Sequence, residues 1–210
     1  MLPQDIIEGI NHVFDEGIIV TDVGQHQMFA AQYAEITPKK RLLMSGGLGT
    51  MGYGFPGGIG AKIGNPDKTV IVISGDGGMQ MNIQEFATAV LEELPIIICV
   101  LNNTYLGMVR QWQKLFYGKR YAMTNLLAGA ALRRGDEKRP EYTPDFVKLA
   151  ESYGAKGMRV EKKEDIEAAL LEASKETKVP TLIEFIIDPE EVVYPMVKPN
   201  GTLHEMLMDC

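Results

Sequence analysis

Val70-Ile-Val-Ile-Ser-Gly-Asp-Gly-Gly78 and Ile96-Ile-Ile-Cys-Val-Leu-Asn-Asn103 decide how this chain folds. Each begins as an unbroken apolar run, the pattern of a strand covered on both faces rather than one alternating between core and water. Each ends on small or amide residues that suit a turn. One helix-length stretch separates them, so they read as the centre of a parallel sheet. Working outward, strand-like runs at Ile18–Gly24, Arg41–Ser45, Lys156–Val160 and Thr181–Ile187 alternate with helical patterns at Asn82–Glu93, Leu106–Tyr117, Pro144–Tyr153 and Glu164–Glu176. The expected fold is α/β: a single domain over residues 1–210 with a central, mainly parallel sheet of about six strands, flanked by helices on both faces. The stretch 127–142, holding Gly129, Gly135 and mixed charge, reads as a flexible excursion, and 188–210 as a C-terminal extension.

Composition narrows the function classes. The 210 residues are 45% hydrophobic and 23% charged, which is ordinary for a globular domain. The formal net charge of -7 leaves no electrostatic footprint for nucleic acid, and the basic cluster at Arg133–Arg139 is broken by Asp136 and Glu137. No apolar run approaches the roughly 20 residues that span a bilayer, and no signal core follows the N-terminus, so a cytoplasmic protein without a membrane partner is expected. Cys99 and Cys210 lie too far apart for a disulfide framework or metal-thiolate spacing.

In an open parallel sheet the ligand sits beyond the carboxyl ends of the strands, where helix N-termini point their free N–H groups. Here those ends carry Asp22-Val-Gly-Gln-His26, Ser45-Gly-Gly-Leu-Gly49, Gly75-Asp-Gly-Gly78 and Asn102-Asn103. The run Gly47-Leu-Gly-Thr-Met-Gly52, with Asp76 about 24 residues further on, fits a dinucleotide fingerprint, which would make the chain a nicotinamide- or flavin-dependent oxidoreductase. The glycines around Asp76 argue otherwise. They build a phosphate-cradling turn about the acid itself, and a carboxylate beside a diphosphate repels it unless a cation lies between. Asn102 and Asn103 offer neutral oxygen ligands at the neighbouring strand end. Mg²⁺ suits such a set, since it takes few protein oxygens and completes its octahedron with phosphate and water. Against this stands a bland alternative in which Gly75–Gly78 is only a tight turn and Asn102-Asn103 a helix cap. His26 can likewise be a polar residue at a helix start, Met51 ordinary core, and Trp112 part of a buried stripe with Met108. His12 and His204 fall in amphipathic helical stretches and carry no signal.

Gly75-Asp-Gly77 followed, after a helix, by Asn102-Asn103 is the paired motif of thiamine-diphosphate enzymes. Together with Thr21-Asp-Val-Gly-Gln-His-Gln-Met28, Ser45-Gly-Gly-Leu-Gly-Thr-Met-Gly-Tyr-Gly54, Asn102-Asn-Thr-Tyr-Leu-Gly-Met-Val-Arg-Gln-Trp-Gln113 and Val193-Tyr-Pro-Met196, it resembles the C-terminal domain of acetohydroxyacid (acetolactate) synthases. The resemblance covers nearly the whole chain apart from about 127–142. It implies that Asp76, Asn103 and the Tyr105 carbonyl bind Mg²⁺. It implies that Gly24, Gln25, His26, Gly77 and Gly78 hold the diphosphate, and that Leu106, Gly107 and Met108 add cofactor contacts. The Gly49 carbonyl would accept a hydrogen bond from the pyrimidine amino group, Met51 would wedge beneath the cofactor and bend it, and Trp112 would border the pocket for the second keto acid.

The same resemblance implies an activity that joins pyruvate, after decarboxylation, to pyruvate or 2-ketobutyrate for branched-chain amino acid synthesis. The glutamate that activates the cofactor comes, in that family, from an N-terminal domain of another subunit. Nothing before Ile18 is long enough to supply it, so no catalytic set is complete in this chain, and inactivity alone is expected. FAD would belong to the full assembly rather than chiefly to this domain. A homodimer or larger assembly, with a possible regulatory subunit, follows from the same reasoning. Rival readings are another thiamine-diphosphate enzyme, such as a 2-oxoacid decarboxylase, pyruvate oxidase or sulfoacetaldehyde acetyltransferase, and a non-catalytic cofactor-binding module. The run Gly107-Met-Val-Arg-Gln-Trp112 favours the synthase.

Overall fold

The computed structural model describes residues 1–127 and 144–208. The excursion expected at 127–142 therefore falls, but for its first residue, outside the described residues, as does Cys210. In chain order the elements are α1 (Pro3–Val13), β1 (Gly17–Thr21), α2 (Gln25–Tyr33), β2 (Lys40–Met44), α3 (Gly54–Gly64), β3 (Val70–Gly75), α4 (Asp76–Met79), α5 (Glu85–Leu91), β4 (Ile97–Asn102) and α6 (Gly107–Phe116). They continue with α7 (Phe146–Ser152), β5 (Lys156–Val160), α8 (Ile166–Ala173) and β6 (Thr181–Ile186). A short antiparallel pair follows, β7 (Met196–Val197) and β8 (Met206–Leu207).

Six strands form one sheet in the order β2-β1-β3-β4-β6-β5, with every pairing parallel. The two apolar runs that opened the reading, β3 and β4, are its central strands. Strand periodicity then splits the core. Ile71, Ile73, Ile97, Cys99, Leu101, Ile183 and Phe185 face α1, α2 and α8, where Ile6, Ile10, Phe29 and Leu170 are fully or almost fully buried. Val70, Val72, Ile98, Val100 and Leu182 face the opposite layer, built from Phe55 and Ile59 of α3, Phe86 and Ala89 of α5, and Phe146 and Ala150 of α7. Phe86 packs between Phe55 and Tyr153, with ring centroids 4.9 and 5.8 Å away. Alternate residues of one strand thus serve two cores, which is why the pattern is continuous rather than alternating. Helix α3 lies flush on the sheet because Gly58 has no side chain: a Cβ there would stand 2.3 Å from Val72 Cγ2.

Several strands stop short of the apolar pattern. Residues 22–24, 76 and 103 belong to the turns and helix starts beyond the sheet rather than to the ladder. His204 is not in an amphipathic helix but in a single 3₁₀ turn, Leu203–Glu205, closed by the Glu205 side chain accepting from the Thr202 amide. Among the described residues no helix is long and apolar enough to cross a membrane.

Candidate functional site

The chain leaves β1 towards β2 on one side and leaves β3 towards β4 on the other, so strand order reverses between β1 and β3. In an open α/β sheet this is where the connecting loops part and a crevice forms. The β1–α2 turn and the start of α4 meet there so closely that a Cβ on Gly75 would lie 3.0 Å from His26 Nδ1. The end of β4 adds the third wall. One cleft is lined by Gly24, Gln25, His26, Met51, Asp76, Gly77, Gly78, Asn103, Tyr105, Leu106, Gly107 and Met108. Twelve candidates that span 85 positions of sequence thus share one space. Gly49 is not among its lining residues; it sits on an exposed turn with φ +63°. Trp112 lines an adjoining open cleft of about 820 Å³, which shares Met108 and Val109 with the first.

Asp76 is the first residue of α4 and is 2% exposed. Its Oδ1 accepts a hydrogen bond from the Gly77 amide at 2.9 Å, whereas Oδ2 is buried with no partner among the described residues. Burial pushes its carboxyl up to about 7, partly opposed by backbone N–H donors including those of Gly77 and Thr104. A buried, unpartnered carboxylate oxygen is costly unless a cation meets it. Asn103 stands opposite: its Oδ1 accepts from the Tyr105 amide at 3.0 Å, and its Nδ2 donates to Gln25 Oε1 at 3.4 Å. Gln25 in turn donates to Gln111 Oε1 at 2.8 Å and to the Glu191 carbonyl at 3.1 Å, so the Asn103 amide is oriented from outside the strand. Asn102 differs from its expected role as an oxygen ligand. Its Nδ2 donates to Glu184 and its Oδ1 accepts from the Thr104 amide, which occupies both ends of the amide.

His26 is buried, and its Nε2 lacks a partner among the described residues. Burial lowers its pKa to about 4, against the pull of Asp22, so the ring is neutral at ordinary pH. Gly24 precedes it with φ +149°, a backbone shape that side chains rarely adopt, and a Cβ there would meet His26 Cε1 at 3.0 Å. Gly107 is limited by contact instead: a Cβ there would come within 2.1 Å of Gln25 Oε1. The site therefore combines one carboxylate oxygen and one imidazole nitrogen, each buried and without a partner among the described residues, with glycine walls that let a ligand approach the backbone.

A residue that sequence reasoning passed over organises the far wall. Asp22, 1% exposed, accepts from the amides of Val23 at 2.8 Å, Gly52 at 3.0 Å and Gly54 at 2.7 Å. It ties the 45–53 turn, with Met51, to the end of β1. Asp188, Glu191 and Pro3 also line the cleft without having been foreseen. Only a lone acid at a strand end could have signalled Asp22.

The dinucleotide reading fails on topology. Its fingerprint needs the acid on the strand beside the glycine-bearing one, yet β1 lies between β2 and β3. Comparison with known proteins points instead to the cofactor that the glycine-flanked acid suggested. The family model described as "Thiamine pyrophosphate enzyme, C-terminal TPP binding domain" matches residues 22–185.

The chain belongs to that family.

Its thiamine-pyrophosphate-binding fold accounts for the sheet order and for a cleft at the β1/β3 reversal. Among curated proteins, the chain is 44% identical over 207 residues to the acetolactate synthase large subunit of Cyanidium caldarium, covering 99% of this chain and 33% of that protein. It is 44% identical over 211 residues to the probable acetolactate synthase large subunit of Methanococcus aeolicus, covering 98% and 33%. Against the acetolactate synthase isozyme 3 large subunit of Escherichia coli (strain K12) it is 40% identical over 207 residues, covering 97% and 34%. The chain spans about a third of the length of these relatives.

Proposed function

We propose that this chain is the part of an acetolactate synthase that holds thiamine diphosphate together with Mg²⁺. The observation that carries the metal is Asp76, which lines the same cleft as Asn103 and Tyr105 and whose Oδ2 is buried with no partner among the described residues. In this reading Asp76, Asn103 Oδ1 and the Tyr105 carbonyl bind the metal, an oxygen-only set that suits Mg²⁺. Gly24, Gln25, His26, Gly77 and Gly78 hold the diphosphate, with His26 Nε2 supplying a contact that the protein itself leaves unmade. Leu106, Gly107 and Met108 line the same pocket. Met51, 38% exposed on the Asp22-anchored turn, would wedge against the cofactor, and the carbonyl of Gly49, on the same turn but outside the cleft lining, would accept from its pyrimidine amino group. Trp112, in the adjoining cleft, borders the second keto acid.

Bound thiamine diphosphate supplies a carbon nucleophile and an electron sink for 2-oxo acids. This chain's own residues bind the metal and diphosphate, orient them and shield them from water. The names of the relatives support pyruvate as substrate and branched-chain amino acid synthesis as the setting; pyruvate or 2-ketobutyrate is the acceptor in this reading. The domain is read as one unit over residues 1–210, with 188–210 as an extension. A glutamate-bearing N-terminal domain completes the catalytic set, in a dimer or larger assembly where FAD and a regulatory subunit have their place.

Calorimetric titration with thiamine diphosphate, with and without Mg²⁺, tests the site, using Asp76→Ala as control. Binding that requires both the metal and Asp76 is expected. Metal-independent binding, or binding unaffected by Asp76→Ala in a folded sample, would overturn the metal assignment. Acetolactate formation from pyruvate should appear only when a complementing N-terminal domain is added.

A further inference from the structure

A carboxylate sits inside the sheet where the sequence shows only an apolar strand. Glu184 of β6 is 2% exposed, in the run Thr181-Leu-Ile-Glu-Phe-Ile186. Register places it opposite Val100 of β4 and opposite Arg159 of β5. Asn102, two residues beyond Val100, points to the same sheet face. Glu184 Oε2 accepts from Arg159 Nε at 2.7 Å, and Oε1 accepts from Asn102 Nδ2 at 2.7 Å. Arg159 reaches on to Asp145 at 3.1 Å, so a partly exposed guanidinium feeds a buried chain of polar contacts.

That chain leads into the site. Both Glu184 oxygens accept here, which turns the Asn102 NH₂ inward and its oxygen towards the next turn. There Asn102 Oδ1 accepts from the Thr104 amide at 3.0 Å. Thr104 has φ +63°, a left-handed conformation that a β-branched residue adopts only when its surroundings impose it. Thr104 lies between Asn103 and Tyr105, the two non-acidic groups assigned to the metal. A shift in its backbone would move both.

We propose that Glu184 is a positioning residue: through the Asn102 amide it holds the 103–105 turn in the shape that presents Asn103 and the Tyr105 carbonyl to the metal site. This rests on the metal reading above. Glu184 does not line the cleft; it acts on the residues that do, as outer-shell partners do in other metal sites. A buried ion pair to Arg159 alone would need only Oε2, whereas here Oε1 is committed to the site-facing amide.

The test has two arms on the full chain. The first follows exchange of the Thr104 amide hydrogen without cofactor, in wild type, Glu184→Leu, Glu184→Gln and Asn102→Ala. Loss of one hydrogen bond should speed exchange roughly fivefold in Glu184→Leu and Asn102→Ala. Glu184→Gln still offers one oxygen to Asn102 but turns its NH₂ towards the Arg159 N–H, so its exchange should fall between wild type and Glu184→Leu. The second arm titrates Mg²⁺ at fixed thiamine diphosphate by calorimetry. The dissociation constant should rise about tenfold or more in Glu184→Leu and Asn102→Ala, no further in the double variant, and recover only in part in Glu184→Gln.

Unchanged Thr104 exchange in the two disruptive variants would overturn the proposal, as would faster exchange with unaltered metal affinity. Should Glu184→Leu not fold, Asn102→Ala, which leaves the Arg159 pair intact, decides by the same readouts. If the wild-type chain binds no Mg²⁺ at all, the metal reading fails, and the positioning of the metal ligands falls with it whatever Thr104 does.

Discussion

Replacing Asp22 with asparagine changes the shape of the side chain hardly at all and removes one acceptor and one charge. In the native structure three amides converge on this carboxylate, Val23 and Gly52 on Oδ1 and Gly54 on Oδ2. The better orientation of the amide keeps its oxygen at Oδ1, where two bonds survive. Its NH₂ then faces the Gly54 N–H, donor against donor, across a site 1% exposed. Losing a charge-assisted bond to a buried amide costs about 1.5–3 kcal/mol. The surviving two weaken as their acceptor turns neutral. Gly54 also opens α3, so the lost carboxylate takes about 0.5 kcal/mol or more of helix-terminus stabilisation with it. Together these give about 3–4 kcal/mol. Urea unfolding followed by circular dichroism should show a lower midpoint at an unaltered slope, and the thermal midpoint should drop by roughly 6–15 °C for a chain of this size. A loss below about 1 kcal/mol would mean that the three amides find partners elsewhere and that Asp22 does not organise the 45–53 turn.

Three further outcomes are expected. Burial holds the Asp76 proton up to about 7 in the folded chain; this stabilisation is complete below about pH 4 and is lost as pH rises through 7, up to about 4 kcal/mol in all. Cofactor-free Asp76→Asn should therefore be less pH-dependent over that window and more stable than wild type at pH 8, while Mg²⁺ affinity of the wild type should fall about tenfold per pH unit below 7; a flat affinity profile would contradict both. Gly107→Ala puts a methyl group 2.1 Å from Gln25 Oε1 and 2.8 Å from Asn103 Nδ2, so metal-dependent cofactor binding should weaken about tenfold or more by calorimetry, and unchanged affinity would count against Asn103 as a ligand. Gly58→Ala forces a methyl against Val72 Cγ2 and should cost about 1–3 kcal/mol in chemical denaturation without touching the site; a neutral result would show that α3 can lift from the sheet freely.

Much of the architecture is written in short-range pattern. β3 and β4 are readable as central because both of their faces meet a core, and the glycines about Asp76 are readable as a phosphate turn because they are contiguous. The groups that escaped reading depend on pairing across the sheet. Asn102 looks like a ligand beside Asn103 until β6 brings Glu184 under it, and that contact joins residues 82 positions apart. Glu184 itself is masked by the apolar strand around it. Asp22 has the sequence context of an ordinary turn acid, and its role becomes visible only when Gly52 and Gly54 arrive. Conversely, the fingerprint at Gly47–Gly52 was good local pattern defeated by strand order. Local pattern reports burial and turn chemistry; it does not report which strand lies beside which.

Gln25, near the start of the chain, donates a hydrogen bond to the Glu191 carbonyl, 166 positions later. Gln111 reaches the same segment across 82 positions, giving to the Val193 carbonyl and accepting from its amide. The wall of the cleft is therefore assembled from opposite ends of the sequence. During synthesis the central strands can pair while the cleft still lacks one side, because loop closure over so long a separation comes late. Formation of the sheet and completion of the cleft are therefore separable steps: the wall closes only when residues 191–193 dock against Gln25 and Gln111.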